Sequence, residues 1–160
     1  MDFTTTLINK HNSLPSLWWL WMIVVAVVVW FIDKRRMSPR PLLAAYILFI
    51  LMETVIGRKA GALRMELVPF WSYIHPELRM EIILNYIFFI PLGLLLYLCF
   101  RKKYVLRVVI AGFLLSTSIE LIQLIFRIGL FEFDGIIGNT IGCFIGAAVG
   151  KMCGRNHANK

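Results

Sequence analysis

The chain has 160 residues, 59% of them hydrophobic and only 16% charged, with a formal net charge of +8 and a mean hydropathy of +0.76. A soluble domain of this size is close to half apolar and a quarter charged, so the composition excludes an ordinary soluble globule and points to an integral membrane protein. The length suits one domain with room for about five spans of ~20 residues, the number that crosses ~30 Å of hydrocarbon.

The N-terminus, MDFTTTLINKHNSLPS, lacks a basic leading region, and no small-residue cleavage site follows the first apolar run, residues 15–32. Lys34, Arg35 and Arg36 follow it instead, the flank of a retained span. That run is rich in tryptophan (Trp18, Trp19, Trp21, Trp30), and a second apolar run covers residues 41–56. The connection 57–81 mixes charge with Val68, Pro69, Phe70, Trp71 and Tyr73. Trp and Tyr favour the membrane interface, so this segment is expected to lie on the surface or partly re-enter the membrane. Pro76 and Glu77 suit the first turn of a helix. That helix becomes the third run, 82–100, where Pro91 is expected to introduce a kink.

The fourth run is 105–126. The fifth, 135–153, carries Gly138, Gly142, Gly146 and Gly150 at four-residue spacing. Such a small-residue stripe lets a neighbouring backbone approach closely, so this helix is expected to be packed, not lipid-exposed. The expected architecture is an all-α integral membrane bundle of about five transmembrane helices forming a single domain.

Charge sets the orientation. Lys34, Arg35, Arg36 and Arg40, then Arg101, Lys102, Lys103 and Arg107, then Lys151, Arg155 and Lys160 are eleven of the 17 basic residues, with Asp33 as the one acid among them. Five spans put all three clusters on one side, and the positive-inside rule makes that side cytoplasmic. The N-terminus is then outside and the C-terminus inside, in a multi-pass protein of the cytoplasmic membrane. Topology thus accounts for the basic excess, and nucleic acid is not an expected partner. Cys99, Cys143 and Cys153 sit in or beside apolar runs with no pairing or metal-ligand spacing, and are read as small buried hydrophobes. His11, His75 and His157 are scattered; no metal or cofactor is expected.

Against this apolar background, Ser116, Glu120, Gln123 and Arg127 fall on one helical stripe at spacings of four, three and four. Asp134 and Asn139 follow at the mouth of the fifth run. The topology places Glu53, Asn85 and these residues in the outer half of the membrane, with Glu120 roughly 9 Å below the exit of its span at 1.5 Å per residue. Ionisable groups at that depth are costly and face a bundle interior, often at a site. Ordinary structural roles stand beside that one. Asp134 can cap the fifth helix, Asn85 and Asn139 can bond helices together, and Arg127 can pair with Glu132 or reach Glu120 two turns below it.

Taken in order, Arg64 with Leu67, Val68, Pro69 and Phe70, Asn85 with Phe89, Pro91, Leu92 and Gly93, Glu120 with Gln123, then Arg127, Asp134, Asn139 and Gly142 resemble the VanZ-like family of bacterial membrane proteins over residues 58–150. Glu66 stands where that pattern frequently has Asn, and Gly135 where a second acid often follows Asp134. The second departure weakens any cation-binding acid pair, for which Glu132 could substitute. The resemblance implies a multi-span envelope protein, and its founding member is associated with resistance to the glycopeptide teicoplanin.

Two functions are weighed on these residues. In the first, an outward-facing polar pocket lined by Arg64, Asn85, Glu120, Gln123, Arg127, Asp134 and Asn139 binds an amphiphile, either a lipid-linked wall precursor or a lipoglycopeptide. Arginine would take phosphate or carboxylate, the amides and carboxylates would take sugar or peptide groups, and membrane lipids are the surrounding partners. In the second, Glu120 and Asp134 form an acid/base pair of an intramembrane enzyme acting on a lipid-linked substrate. The second lacks a visible nucleophile–base pair, since Ser116 and Ser118 have no nearby His in sequence. A transporter would need polar residues through the inner half as well, and those are missing.

Overall fold

The computed structural model describes residues 38–56, 60–63, 65–70, 74, 79–100 and 104–158, which belong to one compact unit, Ser38–Lys160. The expected span at 15–32 and the site candidate Arg64 lie outside the described residues, as do Trp71, Tyr73, Pro76 and Glu77. Four α-helices are described: α1 (Arg40–Leu51), α2 (Arg79–Cys99), α3 (Val105–Phe126) and α4 (Phe133–Ala158). The architecture is therefore mostly helical. One element not foreseen is a short parallel ladder between β1 (Met65–Glu66) and β2 (Phe131–Glu132), in the register Met65 to Phe131 and Glu66 to Glu132.

Helix α1 starts where Pro41 fits the first turn, with Pro39 as its N-cap. It runs on as a π-helical turn, Met52–Ile56. There Thr54 Oγ1 donates back to the Ile50 carbonyl at 2.7 Å, the type of local competition that loosens a helix. Helix α2 continues through Pro91 without a break. Proline removes the bond to the carbonyl four residues back and crowds that turn. In the same turn the Phe88 carbonyl accepts a hydrogen bond from the Tyr46 hydroxyl at 2.9 Å, tying α1 to α2. Phe49 stacks beside Phe88 at 5.8 Å between centroids.

The main packing is α2 on α4, then α3 on α4. Glycine makes the first of these close. A Cβ on Gly142 would lie 2.5 Å from the Tyr86 carbonyl oxygen, and one on Gly146 would overlap the Ile90 carbonyl oxygen. The glycine stripe is thus the seat of α2, as small-residue stripes are in membrane bundles. Phe89, Leu92, Leu95, Val108, Cys143 and Ala147 fill the core. Cys143 is fully buried as expected, its thiol 3.5 Å from the Val108 carbonyl oxygen, while Cys99 is half-buried.

Two of the described helices are long and apolar enough to cross a membrane: α3 with a mean hydropathy of 2.0, and Phe133–Met152 of α4 with 1.3. The apolar part of α2, Ile83–Cys99, is shorter. Leu106, Ile110, Leu114, Leu121 and Ile125 of α3 are exposed, so that helix is apolar on its outside as well as its inside. Such a helix calls for an apolar surrounding.

Candidate functional site

The buried polar residues collect where α3 ends and α4 begins. Ser116, Glu120 and Gln123 are all buried on one face of α3, and Glu132, Asp134 and Asn139 are buried opposite them. Spacings of four and three residues put the first three on one stripe. What sequence spacing did not show is how each is engaged.

Glu120 Oε2 accepts the Glu132 backbone N–H at 3.2 Å, so its carboxylate sits at the N-terminal end of α4. That end carries partial positive charge and open N–H groups, which favour an acid. Gly135 makes the approach possible: a Cβ there would lie 2.6 Å from Glu120 Oε1 and 3.7 Å from Asn85 Nδ2. Half-buried Asn85 therefore reaches the same place from α2, in addition to α3 and α4. The glycine that departs from a paired-acid pattern is here the space into which Glu120 fits.

One turn further into the helices, Asn139 Nδ2 donates to Ser116 Oγ at 2.8 Å, joining α4 to α3 as expected of an interhelical amide. Asn139 Oδ1 is buried and accepts no hydrogen bond among the described residues. Gln123 Nε2 donates to the Thr54 carbonyl at 2.8 Å, so this side chain is spent on holding the π-helical turn after α1. Thr54 carried no signal in sequence, because its contribution is a backbone oxygen.

Arg127 leaves the stripe. It is the C-cap of α3, in the left-handed region at φ 55° and ψ 36°, with its N–H directed at the Gln123 and Leu124 carbonyls. Its side chain is exposed, and among the described residues it makes no ion pair. The alternative role of pairing with Glu132 or Glu120 is not taken up among the described residues, because the turn at the cap carries the residue off the buried face.

Asp134 is also corrected. Helix α4 begins at Phe133, so Asp134 lies in its first turn and does not precede it. Its Oδ1 accepts the Phe70 backbone N–H at 2.6 Å. Phe70 has φ 65°, a left-handed conformation that costs a bulky L-residue roughly 1–2 kcal/mol; a hydrogen bond to a charged group contributes about 1.5–3 kcal/mol. The segment before Phe70 is fastened along its length: Gly61 N–H donates to the Arg127 carbonyl at 2.7 Å, then comes the β1–β2 ladder. Glu66 Oε1 accepts the Val68 N–H at 3.0 Å, closing the turn before Pro69. An Asn at that position would offer a side-chain acceptor for the same purpose.

The structure thus brings Asn85, Glu120, Gln123, Asp134 and Asn139 to one end of the helices and sets Arg127 at its exposed rim. The arrangement can accept and donate hydrogen bonds in an apolar setting. Among the described residues no cluster of His, Cys, Asp and Glu could hold a metal ion.

Comparison with known proteins matches the VanZ/LLP1 family model to residues 18–154. The protein named VanZ of Enterococcus faecium is 42% identical over 66 residues, which is 41% of this chain and 41% of that protein. The chain thus matches about two fifths of the length of this curated relative. No solved structure is similar.

Proposed function

The chain belongs to the VanZ/LLP1 family, and from that premise we propose that it is a multi-pass protein of the bacterial cytoplasmic membrane whose polar end faces outward and binds an amphiphile. The ligand class is a lipid-linked wall precursor or a lipoglycopeptide, and the expected phenotype is low-level resistance to teicoplanin. The observation that carries this reading is the burial of Glu120, Glu132, Asp134, Asn139, Gln123 and Ser116 together at one end of helices whose outer faces are apolar. In a bilayer such a concentration of polar groups is costly away from a bundle interior or a ligand.

The roles follow from placement. Exposed Arg127 at the rim would meet a phosphate or carboxylate head. Asn85 and Asn139 would bond sugar or amide groups, the buried Asn139 Oδ1 being an acceptor left unfilled among the described residues. Glu120 and Asp134 already accept backbone N–H groups, which favours their use in holding the site over the acid/base pair of an enzyme.

The test is to express the chain in a glycopeptide-sensitive host and compare Glu120→Gln, Asn139→Leu and Arg127→Ala at matched protein levels. Teicoplanin sensitivity is expected to fall with the wild type and to return in each variant, while affinity of the purified protein for teicoplanin drops about tenfold per lost charged hydrogen bond. A wild-type effect that all three variants retain in full rules out this site.

A further inference from the structure

The segment 63–70, with Ile74 beyond it, combines two properties that a water-exposed loop does not need together. Its side chains are apolar and uncovered: Leu63, Met65, Leu67, Val68, Phe70 and Ile74 are between 49% and 75% exposed. Several of its backbone groups are nevertheless engaged internally. The β1–β2 ladder serves Met65–Glu66. The Val68 N–H goes to Glu66 Oε1, and the Phe70 N–H to Asp134 Oδ1. Pro69 has no donor to satisfy.

In water, solvent would compete with the two carboxylates for those donors. In hydrocarbon every backbone polar group has to be satisfied from within, and irregular backbone persists there only under that condition. The surroundings agree. The segment is fastened to the C-terminal end of α3 through Arg127, where Leu121, Ile125 and Phe126 are exposed. It therefore extends an apolar helix face beyond the end of the helix.

We propose that residues 65–70, with Leu63 and Ile74 on either side, form a membrane-immersed plate that contacts the acyl chains of the leaflet at this end of the bundle, anchored by the hydrogen bond from Phe70 to Asp134. The occupant of the apolar face is phospholipid hydrocarbon. This rests on the membrane placement proposed above and not on ligand binding by the polar site.

The experiment places the photo-crosslinker p-benzoyl-phenylalanine at position 68 of the full chain in phosphatidylethanolamine–phosphatidylglycerol liposomes, with position 114 on the exposed face of α3 as the reference. Acyl-chain adducts are expected at 68 and 114. In Asp134→Leu, adducts at 68 fall about tenfold while those at 114 persist, as for the loss of an anchor to a charged group. Phe70→Gly keeps the donor and relaxes the left-handed backbone, so adducts at 68 remain; this variant guards against a fold lost in Asp134→Leu. Adducts at 114 without any at 68, or at 68 only to protein, overturn the plate. Adducts at 68 unchanged in a folded Asp134→Leu overturn the anchor, and absence of lipid adducts at 114 removes the membrane placement on which the proposal rests.

Discussion

Gly135 shows how one missing side chain can decide a site. In a helix, Gly→Ala ordinarily stabilises by roughly 0.5–1 kcal/mol. Here the added methyl would stand 2.6 Å from Glu120 Oε1, so Gly135→Ala is expected to invert the sign. It should destabilise by about 1–3 kcal/mol, as overpacking does, and lower the thermal midpoint of the purified protein in detergent. An unchanged or raised midpoint would mean that the flexible Glu120 side chain swings clear of the methyl group without net cost. At this scale the sequence was partly legible. The spacing of Ser116, Glu120 and Gln123 announced a buried stripe because helical periodicity is local. Arg127 followed the same arithmetic and left the stripe, because left-handed caps appear most often at glycine and the nearest glycine, Gly129, stands two residues beyond the cap. The partners of Asp134 and Gln123 are backbone atoms of Phe70 and Thr54, distant in sequence and invisible in residue type.

Among elements, the contact of α2 with α4 depends on backbone-to-backbone approach. Gly146 faces the Ile90 carbonyl with no room for a methyl group. Gly146→Ala is expected to push the two helices apart and destabilise by about 1–3 kcal/mol. Gly138→Ala, whose Cβ would find ordinary contacts from 3.5 Å outward, should be near neutral by the same thermal measurement. Equal effects at both positions would show that the stripe is not a packing seam. The stripe itself could be read from spacing, since the requirement for small residues leaves a pattern on one helix. The β1–β2 ladder could not: two paired residues in each strand leave no periodicity, and parallel pairing joins segments far apart in the chain. The π-helical turn after α1 was hidden for a related reason, since it depends on Thr54 bonding back to Ile50 and on Gln123 from another helix.

For the whole molecule, the composition and the family agree on a membrane setting, and α3 and α4 are long and apolar enough to cross one. The distribution of basic residues makes a further prediction about direction. Cysteines introduced at residues 60 and 103 are expected to react with an impermeant reagent from opposite sides of oriented vesicles, residue 60 from outside. Labelling of both from the same side would refute the orientation derived from the positive-inside rule. At the start of α3, the end opposite Arg127, Tyr104 holds the Arg107 guanidinium 4.0 Å from its ring centre, an aromatic and basic pair of the kind that anchors helix ends at a membrane surface.

The fastening of the 61–70 segment to the start of α4 also has a consequence in time. Phe70 and Asp134 are 64 residues apart in the chain, and a ribosome adding about 5–20 residues per second needs roughly 3–13 s to bridge that interval. Throughout it, the apolar segment has been synthesised and its β2 partner has not. The nascent protein therefore has to wait with a strand edge open, and it closes only when the last helix is delivered. A stalled or truncated product ending before residue 131 would keep that edge exposed, which makes the junction a natural mark by which membrane quality control could tell an unfinished chain from a finished one.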